Sequence, residues 1–197
     1  MLTQNIIVYS DYVCPFCLLA EEVIAQATEG LDVNVQWRPF ELRPDPAPTL
    51  KVEDPYLPKV WREAVYPMAE QLGVPIKLPN ISPQPRTDKA FEVFAMAEEH
   101  GQGHAYSMAT LKAFFQQERD IGDPAVLADI AESVGLERQE VLDALAEGRY
   151  REQHQAALRH AVEEARIQSV PTLIIDGETI QGVPDPAALK RYLSERA

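Results

Sequence analysis

The sequence predicts an α/β fold, a four-stranded mixed sheet flanked by helices, with an all-helical insertion subdomain. Three features predict it. The first stretch reads strand, helix, strand; the last reads strand, tight turn, strand, helix; between them runs a series of helical segments with no strand among them. The two ends then form one α/β domain, residues 1–53 and 151–197, and residues 54–150 form the inserted helical subdomain.

Each element follows from local chemistry. Gln4 to Tyr9 reads as a strand around the apolar run Ile6-Ile7-Val8-Tyr9, and Cys14 to Thr28 carries apolar residues at helical spacing and stops near Gly30. Val33-Asn34-Val35-Gln36-Trp37 alternates as a second strand, so the three elements make a βαβ unit with parallel strands. Six prolines between Pro39 and Pro58 mark an extended exit from that unit. Asp54-Pro55 starts a helix that Pro67 should kink or break before Gly73. Thr87 is placed to cap a helix over Asp88 to Glu99, and Gly103 to Glu118 carries another apolar face. Asp123-Pro124 opens a helix closed by Gly135, Leu136 to Glu147 ends at Gly148, and Tyr150 to Ile167 is the last long helix before the sheet resumes. Val170 to Ile175 reads as a strand, Asp176-Gly177 as a two-residue hairpin turn, and Glu178 to Gln181 as the returning strand. Asp185-Pro186 caps the final helix.

The chain has 197 residues, enough to bury a core without disulfide staples. A formal net charge of -13 repels phosphate backbones and anionic membrane surfaces, and the lysines and arginines are too scattered for a nucleic-acid platform. The expectation is therefore no nucleic-acid partner and no membrane. Met1-Leu2-Thr3-Gln4-Asn5 has neither the basic nor the apolar part of an export signal, and the longest apolar runs are far too short to span a bilayer. The expected compartment is the cytoplasm.

There are two cysteines, Cys14 and Cys17, two residues apart in Cys14-Pro15-Phe16-Cys17. In a reducing compartment such a pair points to catalysis or metal binding rather than to a structural disulfide. Cys14 falls at a helix N-terminus, where unpaired N–H groups and the helix dipole favour a thiolate, the form that attacks disulfides. Useful attack also calls for solvent access. Cys17, one turn on, is placed to resolve a mixed disulfide as the buried partner. Pro15 suits the first turn because its missing N–H has no helical partner there, and Phe16 faces outward beside the sulfurs.

Other readings of the pair are half a zinc site or two inert buried thiols. Four ligands are usual for structural zinc and no third cysteine exists, so the expectation is no metal. His100, His104, His154 and His160 sit in no recognised arrangement and read as surface or loop residues; Trp37 and Trp61 read as packing residues. Glu21 and Glu22 read as helix-surface charges.

Cys14-Pro15-Phe16-Cys17 after a short strand, together with Val170-Pro171-Thr172 before a terminal hairpin, resembles the thioredoxin superfamily. The helical insertion and the run Cys14 to Val23 are similar to its DsbA-like branch, and Arg38-Pro39-Phe40-Glu41-Leu42 and Phe115 to Ile121 resemble FrnE-like proteins. That resemblance implies a thioredoxin-like fold and a protein disulfide oxidoreductase with Cys14 and Cys17 catalytic. It implies that Pro171 is a cis-proline facing the cysteines, and that the Val170 backbone pairs with an extended substrate, with Pro15 and Phe16 beside it. No cofactor beyond the redox-active Cys14–Cys17 disulfide is implied, with glutathione or another small thiol as electron partner. Partners would be protein thiols or disulfides. Two alternatives stand. One is a glutathione-dependent isomerase or transferase of the 2-hydroxychromene-2-carboxylate isomerase or kappa-class type, whose usual first residue is Ser. The other is a non-enzymatic redox-sensing module.

Overall fold

The computed structural model describes residues 4–195; Met1 to Thr3, part of the N-terminal stretch read for an export signal, and residues 196–197 lie outside them. Strand β1 (Gln4–Ser10) and strand β2 (Val33–Pro39) run parallel, joined by helix α1 (Pro15–Thr28). The hairpin of β3 (Thr172–Ile175) and β4 (Glu178–Gln181) closes a sheet of order β2-β1-β3-β4, in which β3 is antiparallel to β1. Val8 is the pivot of the register, opposite Trp37 on one side and Leu173 on the other. Asp176 and Gly177 both take positive φ, 51° and 84°, the backbone a two-residue turn between twisted strands requires.

The period of two along β1 divides the interior. Ile6 and Val8 pack with Val23, Ile24 and Ala27 of α1 and with Leu189 and Leu193 of the C-terminal helix, Pro186–Ser194. Tyr9, and Ile7 less deeply, point the other way, toward Phe40, Ala161 and Ile167. Helical segments therefore cover both faces of the sheet.

Between β2 and β3 the chain is helical: α2 (Tyr56–Val60), α3 (Tyr66–Leu72), α4 (Asp88–Glu99), α5 (Gly103–Gln117), α6 (Pro124–Ser133), α7 (Arg138–Glu147) and α8 (Arg151–Arg159); the C-terminal helix is α9. Phe91, Phe94, Phe114 and Phe115 from this block share one buried cluster with Cys14, Cys17, Leu18 and Leu19, so the block packs directly onto the start of α1.

Several local expectations are corrected. Pro67 breaks nothing: a π-helical turn over Trp61–Val65 joins α2 to α3, and the chain reaches Pro67 through i→i−5 bonding, Tyr66 N–H to Trp61 O. The helix expected from Tyr150 to Ile167 is α8 followed by a second π turn, His160–Glu164. Thr87 precedes α4 without a side-chain cap, its hydroxyl engaging the Asp11 carboxyl instead. Strand β3 begins at Thr172 and not at Val170, because Pro171 has no N–H to give a ladder.

Candidate active site

The loop between β1 and α1 is held from several sides. The Asp11 carbonyl accepts the Cys14 N–H at 3.1 Å, and the Cys14 carbonyl accepts the Cys17 N–H at 3.1 Å. Tyr12 stacks on Phe91 with ring centroids 4.6 Å apart, and its hydroxyl lies 2.8 Å from that of Ser107. The loop is thus fixed by the helical block as much as by the sheet.

Cys14 is the N-cap of α1, in extended backbone, with Pro15 in the first turn. An anionic sulfur there faces the positive end of the helix dipole. Both cysteines are free thiols. Cys14 is 4% exposed and Cys17 1%, so the solvent access expected of Cys14 is a narrow one. Burial pushes the Cys17 thiol up, and the adjacent Cys14 thiol adds to this, while the Ser10 hydroxyl and the Asp11 backbone oppose it. Cys17 accordingly keeps its proton at neutral pH. Phe16 and Pro15 are half-buried, and Phe16 packs against the cluster that holds the cysteines rather than standing free of it.

Across the chain, the Val170–Pro171 peptide is cis and the Cys14 thiol donates to the Val170 carbonyl at 3.5 Å. Pro171 is buried, Val170 half-buried, and the Thr172 hydroxyl ties back to the Ser169 carbonyl at 2.7 Å. The structure therefore gathers Cys14, Cys17, Pro15, Phe16, Val170 and Pro171 at one end of the two central strands, where β1 stops and β3 begins.

Three buried polar groups escaped the sequence reading. Glu21, one turn beyond Cys17 on α1, is 3% exposed, not a surface charge. It accepts a hydrogen bond from the Trp37 indole and lies 3.2 Å from His104 Nε2. His104 in turn stacks on Trp37 at 3.8 Å between centroids. Burial raises the Glu21 carboxyl, and these partners pull it back. Asp11 is fully buried and its carboxyl is pushed up to about 7 by desolvation, against which the Leu42 N–H bond at 2.7 Å works. His154 is also buried, correcting its placement among surface histidines; it pairs with Glu41. No spacing rule signals these, since each partner lies far away in sequence. Among the described residues no three His, Cys, Asp or Glu side chains gather to hold a metal ion, and no helix is long and apolar enough to cross a membrane.

The model of the DSBA-like thioredoxin domain family matches residues 5–194. YwbO of Bacillus subtilis (strain 168) is 45% identical over 195 residues, 98% of each chain. A solved 2-hydroxychromene-2-carboxylate isomerase superposes with a TM-score of 0.78 at 16% identity, covering 98% of this chain and 95% of that one. The cytosolic disulfide reductase DsbM of Pseudomonas aeruginosa, solved with GSH, superposes with a TM-score of 0.72 at 17% identity over 98% of both chains. At these identities the solved structures speak for the fold.

Proposed function

The chain belongs to the DSBA-like thioredoxin domain family, and from that premise we propose that it is a FrnE-like thiol–disulfide oxidoreductase acting on protein disulfides. The observation that carries this reading is the asymmetry of the pair: Cys14 caps α1 within 3.5 Å of the Val170 carbonyl, while Cys17 lies beneath it with its thiol pushed up by burial.

Cys14 as thiolate attacks one sulfur of a substrate disulfide; the Cys14–substrate bond forms and the other substrate sulfur leaves as a thiolate and takes a proton. Cys17 then gives up its proton and attacks the Cys14 sulfur, forming the Cys14–Cys17 disulfide and releasing the second substrate thiol. Two electrons have passed from the pair to the substrate. The backbone at Val170 would pair with the substrate as an added strand, with Pro171, Pro15 and Phe16 forming the surface around it. The reverse flow is oxidation. A cytoplasmic location favours reduction, in keeping with the cytosolic reductase DsbM as a structural neighbour, and that neighbour's GSH supports a small thiol as electron partner.

Cys17→Ser tests the reading: it should accumulate protein mixed disulfides on Cys14, identified by mass spectrometry, and Cys14→Ala should abolish insulin reduction. Unchanged insulin reduction by Cys14→Ala sinks the proposal. A second reading, a glutathione-dependent isomerase, draws on the isomerase superposition; glutathione as the sole adduct of Cys17→Ser would favour it. A pair that oxidises reversibly and turns over no substrate would favour the redox-sensing module.

A further inference from the structure

Cys17 has to carry negative charge at two moments of the exchange: as attacker on the mixed disulfide, and as leaving group when the Cys14–Cys17 bond is reduced. Its sulfur is buried, and burial works against the charged form. A carboxylate beside it would hold the proton on more firmly. The two buried carboxyls of this region are turned to other partners: Asp11 Oδ2 accepts the Leu42 N–H and the Thr87 hydroxyl engages the same group, while Glu21 is tied to Trp37 and His104. What faces the Cys17 sulfur instead is a pair of donors, the Ser10 hydroxyl and the Asp11 backbone N–H.

The fold places Ser10 for this. It is the last residue of β1, and its carbonyl accepts the Phe40 N–H at 3.0 Å, which fixes the strand end beside the segment leaving β2. Cys17 stands one turn into α1, its own N–H on the Cys14 carbonyl. Ser10 is 7% exposed, and among the described residues its hydroxyl makes no hydrogen bond to nitrogen or oxygen; the group it engages is the Cys17 sulfur. A buried hydroxyl kept from water and from other acceptors is costly unless it has a partner. A thiol is a weak acceptor, whereas a thiolate takes a charge-assisted bond about twice as strong as a neutral one. The hydroxyl is therefore matched to the ionised sulfur and not to the resting one.

We propose that Ser10 is a catalytic residue of the exchange, its hydroxyl donating, together with the Asp11 N–H, to the Cys17 sulfur whenever that sulfur is a thiolate. The assignment rests on the reading of Cys14 as attacker and Cys17 as resolver. In the resolving step Cys17 loses its proton to solvent and its sulfur attacks Cys14. The Cys14–Cys17 bond forms, the Cys14–substrate bond breaks, and the departing substrate thiolate takes up a proton; two electrons have passed from the pair to the substrate. The Cys14 sulfur is uncharged in the mixed disulfide, so the opposition it offers Cys17 in the reduced protein is gone at that moment, and the two donors work against burial alone. In the reverse flow the same donors receive Cys17 as it leaves.

The test mixes the reduced full chain with one equivalent of dithiobis(nitrobenzoate), an aromatic disulfide whose released thiolate is coloured. Attack by Cys14 releases the first coloured thiolate and closure by Cys17 the second, so the two steps appear as two phases. Ser10→Thr and Ser10→Val have the same shape and differ by the hydroxyl, and a void of about 10 Å³ between Ser10, Tyr12, Trp37 and Ser107 gives the added methyl group a place. At neutral pH the Val variant should lose about tenfold in the second phase with the first unchanged, and the Thr variant should keep the native second phase. The gap should narrow as pH rises and Cys17 ionises in both; Asp11 is present in both, so its own titration cancels in the ratio. Equal second phases in the two variants overturn the proposal, as does a loss shared by both phases or a gap that does not narrow with pH, each the mark of a structural effect. If the Val variant fails to fold, Ser10→Ala against Ser10→Thr makes the same comparison. A native first phase that survives Cys14→Ala sinks the exchange reading and the role of Ser10 with it; two native phases with Val equal to Thr sink the Ser10 assignment alone.

Discussion

His154 Nε2 lies 2.5 Å from Glu41 Oε1, and both side chains are almost wholly removed from solvent. The pair fastens α8 to the segment that leaves β2, and the imidazole also stacks on Phe91 at 5.3 Å between centroids. His154→Ala should leave the Glu41 carboxyl in the interior without its hydrogen-bond partner and destabilise the protein by about 2 kcal/mol, the usual cost of a buried polar group left unsatisfied. Urea unfolding measures it; a loss under about 1 kcal/mol would mean that water reaches Glu41.

The Glu21 carboxyl offers a graded comparison. Trp37→Phe keeps an aromatic side chain, smaller than the indole, and removes the N–H donor, so a cost of about 1–3 kcal/mol is expected. His104→Ala should cost less, about 1 kcal/mol or below, because the His104 side chain is half exposed and its interaction is screened. Equal losses in the two variants would contradict this order.

Asp11 should shape the pH dependence of stability. Its carboxyl is raised from 3.8 to about 7 in the folded chain, so between those pH values the native state holds a proton that the unfolded chain releases. Its contribution is therefore fully present below about pH 4 and is lost as pH rises through 7. Asp11→Asn, which has no charge to bury, should gain on the wild type by about 2–3 kcal/mol between pH 5 and pH 8. Denaturation at both pH values checks this; a gap that does not widen with pH would place the ionised carboxyl in water.

The two thiols should differ in reactivity. Cys17 is the deeper, and burial keeps its proton on. Iodoacetamide on the reduced protein should label Cys14 faster by about tenfold or more, with peptide mapping as the readout. Equal labelling would place both sulfurs in one environment.

What could be read from the chain follows from range. The cysteine pair, the βαβ unit, the Asp176-Gly177 turn and the Asp185 cap rest on residues a few positions apart, and these are the elements found. The burial of Glu21, Asp11 and His154 rests on partners 16 to 113 residues away, and nothing in a local window distinguishes Glu21 from its neighbour Glu22. Thr87 shows the same limit. Its position suits a cap, yet the hydroxyl answers to a carboxyl brought in by a distant loop. The π turns left no mark either, since a five-residue turn with i→i−5 bonding carries no signature in a local helical pattern.

The contact between Cys14 and Val170 spans 156 positions of the chain. During synthesis the cysteines emerge early, whereas the strand that faces them follows the whole helical block. Until β3 docks beside β1, the nascent chain carries two thiols without the Val170 backbone that faces Cys14. The surroundings of the pair are thereby completed only when nearly all of the polypeptide has been made, so a chain cut short before Val170 has both thiols and lacks the carbonyl that Cys14 meets in the finished fold.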